Sequence, residues 1–582
     1  MPSSALFGTG AILRRQKSRR RLLLTGGISL LVLMIALPAI GETMTLPDGT
    51  MNNDHIEIDG EDLTVLVDGT AELSGILYGP GGVIKSGSGT LILSGSNEYT
   101  DATIITDGTV LVRSPKALGF GVVEIGPNGT LAYEDAVDNH IITDGGTLYA
   151  WDWGAQAGDI TGKSATSGLT ITGGGSLSLS GNASYGGQTD LLSGLLIAEE
   201  RNVLSEHSLH YIGSATLQLN RSQTIGGLAG TGSVNLRSYA LAIDQAQDTV
   251  FSGHFVGDTD ASVAKRGDGT LVLNGDGTAF HGAIRADGGT TQIDADYQAA
   301  SVDVGDAAIL RGRGQVGYVE IYDGGVLEGW AGQTFSLRQL VLNSASYLDL
   351  HLGAPLADPL FSVEGDLTLD GNIRVLGDAD TVAGVYRIAS FGGVLLDQGA
   401  AITSNNTGLH AELQTSLDKQ VNVILSEENQ HLLFWNGSVT EADGNIHGGS
   451  GLWTSDHTHA NWLDQAGDNA SAWADDAYAV FQNNPGEVTV DDGGEPLVTA
   501  GMQFIGSGWV VNQGAISLTG PGLLDIRVGD GTGDANTHSA EIGSAIIGSG
   551  GLAKRDLGTL ILSGINTYAG ETVVAAGVLD VR

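Results

Sequence analysis

Short runs of alternating apolar and polar residues, each closed by glycine, dominate the chain. Thr90-Leu91-Ile92-Leu93-Ser94 sends side chains to opposite faces as a short strand does, and Gly89 and Gly95 stop it at either end. Residues 103–112 repeat the idea as strand, Asp107-Gly108 turn, strand. Val122-Val123-Glu124-Ile125 with Pro127-Asn128-Gly129, and Val319-Glu320-Ile321 with Asp323-Gly324-Gly325, are further units of the same kind. Such units, of about ten residues each, predict an all-β chain. No convincing helical periodicity follows residue 41, residues 199–209 being the nearest approach. Two architectures suit short strands at this spacing, a row of β-sandwich domains and a right-handed parallel β-helix, or solenoid. Poor linkers, missing domain boundaries and Gly/Asp/Asn turns favour the β-helix, in which each coil buries its inward side chains against its neighbours.

Internal repetition strengthens that reading. Gly82-Val83-Ile84-Lys85 leads to Gly89-Thr90-Leu91-Ile92-Leu93-Ser94-Gly95 and then to Asn97 and Tyr99. Gly551-Leu552-Ala553-Lys554 leads to Gly558-Thr559-Leu560-Ile561-Leu562-Ser563-Gly564 and then to Asn566 and Tyr568. A third copy occupies residues 264–275 around Lys265 and Thr270. A fourth, residues 175–181, reaches Tyr185 but has lost the lysine. In the last copy Leu560, Leu562, Val573, Val578 and Val581 are expected to stack inward, closing the end of the solenoid.

Composition narrows the class. Glycine supplies 90 of the 582 residues and cysteine none, which removes disulfides, thiolate metal sites and cysteine nucleophiles. The net charge is −41. Six of the 26 basic residues, Arg14, Arg15, Lys17, Arg19, Arg20 and Arg21, precede Glu42 with no acid among them, leaving 20 against 67 acids. A chain so acidic is not expected to bind nucleic acid or anionic lipid by general electrostatics. The basic cluster is followed by an apolar stretch, residues 22–37, and by small residues Ala39 and Gly41 before Glu42. That is the pattern of a secretory signal peptide spanning residues 1–41, cut before Glu42, with an uncleaved anchor as the competing reading. After cleavage no bulk membrane binding is expected.

The Gly-Leu-x-Lys-x-x-x-Gly-Thr-Leu-x-Leu-Ser-Gly-x-Asn-x-Tyr pattern of residues 551–568 resembles the passenger-associated transport repeat of bacterial autotransporters, the type V secretion family. Residues 83–99 match clearly and 265–275 in part. Residues 223–253 and 310–352 resemble other stretches of such passengers, and 434–582, opening on Phe434-Trp435-Asn436-Gly437, resembles a second passenger module. The resemblance implies a β-helix passenger over residues 42–430 and a second repeat-bearing module over 431–582. It also implies Gram-negative export and a C-terminal translocator barrel as partner. No such run of strands follows Leu579-Asp580-Val581-Arg582 in this sequence, so the barrel is expected only if the chain is a fragment.

Chemistry is sparse. Serine-protease, His-Glu-x-x-His and P-loop signatures are missing. His447, His457 and His459 lie close in sequence, and Asp456-His457-Thr458-His459 could offer two metal ligands or be a solvated loop. Asn274-Gly275-Asp276-Gly277 and Asp530-Gly531-Thr532-Gly533-Asp534 resemble fragments of calcium-binding β-roll turns, although Asp and Gly also suit any tight corner. Arg266-Gly267-Asp268 is an integrin-type tripeptide inside the third repeat. Trp435, Trp453, Trp462 and Trp473 could form a sugar-stacking surface or the core of a segment interrupting the β-helix. No catalytic, cofactor or metal residue is assigned on these grounds. The expected function is a structural or adhesive passenger at the cell surface or outside the cell, with an unidentified protein or glycan ligand. The alternatives are an extracellular polysaccharide-active β-helix enzyme, which would need a carboxylate cluster on one face of adjacent coils, and a non-adhesive surface-layer or matrix protein.

Overall fold

Successive strands pair in parallel at offsets close to one repeat. In the computed structural model Thr43 lies beside Thr64, Leu63 beside Val83, Val83 beside Thr103, Thr103 beside Val123, Val123 beside Ile141, and Ile141 beside Ile160. One circuit of the chain therefore advances by one strand position, the register of a parallel β-solenoid. The structure describes residues 41–353, 359–405, 408–518 and 522–582. The signal peptide expected over residues 1–41 lies outside them except for Gly41. Contacts divide the chain into two compact units, Met1–Ala283 and Ile284–Arg582. Among the described residues the only helical turn is a short 3-10 turn at Gly533–Thr537. No helix there is long and apolar enough to cross a membrane.

In the first unit the alternating pattern becomes an internal ladder. Leu91, Val110, Leu131, Leu148, Ile171 and Leu191 stack in register from coil to coil, and all are buried. Each such side chain contributes roughly 1.5–3 kcal/mol by leaving water, and only when its neighbouring coil is present. The segment that came nearest to helical periodicity, residues 199–209, forms turns that lead into the strand Leu209–Leu219.

The second unit is not solenoid throughout. Parallel coils run from Gly289–Ile293 through Ala308–Gly312, Val326–Trp330, Tyr347–Leu352 and Asn372–Gly377 to Ala401–Ser404. Gly384–Phe391 then pairs antiparallel with Gln420–Glu427, which pairs antiparallel with Leu409–Gln414. A second parallel run continues through Leu432–Trp435, Tyr478–Phe481, Gly501–Phe504, Leu523–Val528, Gly551–Arg555 and Thr572–Val574. Residues 430/431, where the sequence suggests a division, lie inside this unit, between Gln420–Glu427 and Leu432–Trp435.

The antiparallel segment covers the outer side of that second run. Val385 and Ile424 pack with Phe434, Tyr478 and Val480. The Gln503 side chain accepts a hydrogen bond from the Val385 N–H and donates to the Val385 and Gly529 carbonyls. Further along, Arg527 is 1% exposed, pairs with Asp556 at 2.9 Å, donates to the Ala383 carbonyl and lies 4.1 Å from the Tyr386 ring centre.

One detail of the last repeat differs from expectation. Leu560 and Leu562 are buried, but it is Leu579 that lies beside Leu560 and packs on the core. Val578 pairs with Thr559 and is 53% exposed, and Val581 is exposed as well. The strand's parity follows Leu560, and with side-chain period 2 that turns Val578 outward.

Candidate functional site

The recurring residues of the repeat are internal fasteners. Lys85, Lys265 and Lys554 are each 0% exposed. The Lys85 Nζ donates to the carbonyls of Ser86, Gly87 and Asp107. Lys554 does the same to Arg555, Asp556 and, in the next coil, Ala576. Lys265 donates to Arg266 and Gly267. Burial pulls all three ammonium groups below their ordinary pKa, Lys554 to about 8. The residue two after each lysine turns the corner with positive φ (Gly87 78°, Gly267 72°, Asp556 62°), and its carbonyl faces the ammonium.

Asn97 links three coils: its Oδ1 accepts from the Leu77 N–H and its Nδ2 donates to the Ala117 carbonyl. Asn566 accepts likewise from Ile546. The repeat tyrosine hydroxyl meets the threonine four residues on in Tyr99–Thr103, Tyr185–Thr189 and Tyr568–Thr572. In the copy without lysine, Ile171 stands at its place, and Ser193 of the next coil donates to the Gly173 carbonyl instead.

The residues singled out for chemistry go to separate tasks. His447 bonds Asp443, His457 bonds the Trp473 carbonyl, and His459 bonds Thr454 and Thr458. Among the described residues no group of three or more His, Asp or Glu is placed to hold a metal. Asp276 accepts from the Thr278 N–H, an ordinary Asx turn. Asp530 and Asp534 flank Arg387 at 3.1 and 2.8 Å, so a guanidinium occupies the position between these two acids. Arg266 and Asp268 are exposed, on a turn whose shape Lys265 fixes. Trp435, Trp453, Trp462 and Trp473 are buried and meet Phe481 or one another with centroids 4.7–6.0 Å apart, mostly edge to face. The core reading of these tryptophans holds, and the surface reading does not.

A face that sequence reasoning missed lies in the second unit. Outward side chains of consecutive coils fall into rows there. Glu328, Asp349 and Arg374 lie side by side in register, with Arg311 paired to Glu328 at 3.4 Å. Arg374 grips Asp349 through Nε and Nη2, at 2.5 and 2.7 Å, and lies 4.3 Å from the Tyr347 ring centre. In the next row Trp330 stacks on His351, centroids 3.7 Å apart and planes within 7°. The Trp330 indole N–H donates to Glu328, and the ring is 40% exposed. Burial lowers the His351 pKa, against the pull of Glu328 and Asp349. The one available signal was spacing, since Val326, Glu328 and Trp330 meet Tyr347, Asp349 and His351 one coil later.

A neighbouring sheet carries a second polar cluster. Asp303 lies beside Glu320 on adjacent strands, between exposed Tyr318 and Tyr322. Glu320 accepts from Tyr318 and Asn343. Burial raises the Asp303 pKa while Arg285 opposes the rise, and burial with Glu320 pushes Tyr318 up to about 12.

Three likenesses to known proteins are found. The family model described as passenger-associated-transport-repeat matches residues 83–112, 169–198, 263–293 and 552–581, the four copies with the fasteners above. The "Adhesin BmaC autotransporter" of Brucella suis biovar 1 (strain 1330) is 31% identical over 400 residues, covering 61% of this chain. The chain spans 11% of that relative's length. The solved TibC-catalyzed hyper-glycosylated TibA55-350 fragment aligns over 62% of this chain and 97% of its own, at 14% identity and a TM-score of 0.17.

Proposed function

We propose that the chain, a parallel β-solenoid bearing four passenger-associated transport repeats, is a passenger of the autotransporter type, exported and acting as an adhesive surface protein. The observation that carries the reading is the division of labour between inside and outside. Residues shared by the repeats point inward and fasten coils, whereas Trp330, His351, Glu328 and Arg374, which no repeat requires, form an ordered outward face. Similarity to an autotransporter named as an adhesin supports the same reading. In this account the solenoid supplies area and spacing, and its outward rows supply contact with a host cell or another bacterium.

Binding of the purified chain to fixed epithelial cells and to fixed bacteria tests the proposal. Saturable binding to either, blocked by excess unlabelled chain, is the expected result, and non-saturable binding to both would refute it.

Cleavage of a polysaccharide is a second reading, favoured by one observation. Asp303, whose pKa burial raises, sits on an adjacent strand to Glu320, which accepts from Tyr318, and these are the residue types that glycoside hydrolysis uses. Against it, Glu320 is held by two donors from its own sheet.

A further inference from the structure

We propose that the outward face of Ala308–Gly312, Val326–Trp330, Tyr347–Leu352 and Asn372–Gly377 docks an uncharged oligosaccharide chain. The inference rests on the adhesive reading above and names the class of its ligand.

Three features single out such a ligand. The first is charge. Arg311 with Glu328 and Arg374 with Asp349 neutralise each other within one row, so the face offers fixed donors and acceptors but no net charge. The chain as a whole carries −41, which repels acidic glycans, and the row has no unmatched carboxylate to attract a cation.

The second is the order of the rows. A protein interface places apolar groups at the centre and polar ones at the rim. Here the charged row runs through the middle, with Ile309, Val326 and Tyr347 on one side and Trp330 and His351 on the other. A pyranose ring has an apolar C–H face and a hydroxyl edge. Its face can lie on the indole while its hydroxyls reach the half-buried Arg311 and Arg374 guanidinium groups.

The third is rigidity. Trp330 is held flat by His351 and by its N–H bond to Glu328, and Arg374 is fixed by two bonds to Asp349. Little side-chain freedom remains to be lost on binding. The coils also repeat at the strand spacing of ~4.8 Å, close to the length of one sugar unit, so a chain running across the strands advances about one coil per sugar.

Isothermal titration of the intact chain with cellohexaose, maltohexaose, laminarihexaose and chitohexaose tests this, with a hexamer of galacturonic acid as the anionic probe. At least one neutral hexaose should bind saturably and the anionic one should not. Trp330→Ala should weaken that binding about tenfold or more, Trp330→Phe should recover most of it, and Trp151→Ala, at an exposed tryptophan of the other unit, should leave it unchanged. All three variants should keep the parent melting temperature. Failure of every neutral hexaose, indifference to Trp330→Ala, or preference for the anionic probe would each overturn the proposal. Cell binding that persists in Trp330→Ala and in excess hexaose would end this inference and leave the adhesive reading standing. Hexaose binding without any cell binding would do the reverse.

Discussion

Lys554 and Ala576 lie in successive coils, and the buried ammonium of the first donates to the carbonyl of the second across 3.1 Å. Lys85 and Asp107 stand in the same relation near the other end of the chain, also at 3.1 Å. A cation placed among three carbonyls fastens a corner that would otherwise bury unpaired acceptors, which explains why lysine recurs in an otherwise apolar and acidic chain.

Replacing Lys554 by Met should therefore cost about 1–3 kcal/mol, because it strands the carbonyls of Arg555, Asp556 and Ala576. Chemical denaturation gives the size of the loss, and faster amide exchange over residues 551–582 should give its place.

The degenerate repeat offers a complementary experiment. Ser193→Ala removes the donor to the Gly173 carbonyl and should destabilise the first unit by about 1 kcal/mol. Adding Ile171→Lys rebuilds the arrangement seen at Lys85 and Gly87, so the double variant should recover part of that loss. Additive losses in a double-mutant cycle would show that the two devices are not equivalent.

Stability should rise with pH in two separate windows, one alkaline and one acid. Lys554 is pulled down to about 8 from its ordinary 10.5, chiefly by burial. Between those values the unfolded chain binds the proton and the folded chain does not, so stability rises with pH from about 8 towards 10.5. The rise should be smaller in Lys554→Met. Tyr99 and Tyr133, whose hydroxyls burial pushes far up, stay protonated in the fold but ionise in the unfolded chain, which should reverse the trend above about pH 10. On the acid side, buried His210 is held down to about 4 from 6.5 by burial. Stability should fall as pH drops from 6.5 to 4, with exchange accelerating first at Leu209–Leu219.

Asp556→Ala should be more damaging than either fastener variant. It leaves Arg527 charged and unpaired at a fully buried position, for which about 3–5 kcal/mol is the usual cost. Because Arg527 also donates to the Ala383 carbonyl, exchange should rise in Gly384–Phe391 as well as around residue 556. Protection of Gly384–Phe391 unchanged from the parent would show that this contact does not hold the antiparallel segment in place.

Chelation should leave the melting temperature unchanged. The acids of the second glycine/aspartate turn are bound by Arg387, and the first turn is closed by Thr278. A melting point that falls in EDTA and returns with calcium would contradict this.

What could be read in advance follows from the range of each interaction. The solenoid, the four repeats and the lysines of three of them were legible because a stacked coil writes its needs locally, as a strand, a corner and a strand again. The tryptophans around Trp453 remained open between core and surface, since their burial depends on Phe481 and Phe504 in later strands. Arg527 gave no hint at all. In Leu523–Val528 it occupies an outward position of an alternating strand, and only the cover from Ala383 and Tyr386, far upstream, buries it. The Trp330 face went unread because its members are joined by register, which no local motif encodes.

Adherence of displaying cells tests most directly whether this solenoid acts as an adhesive passenger. A non-adherent strain carrying the chain on a heterologous surface translocator should be compared with the same strain bearing the translocator alone, at matched surface density. The account predicts adherence to epithelial cells, or aggregation between bacteria, that soluble chain inhibits. Adherence and aggregation no greater than with the bare translocator would contradict it.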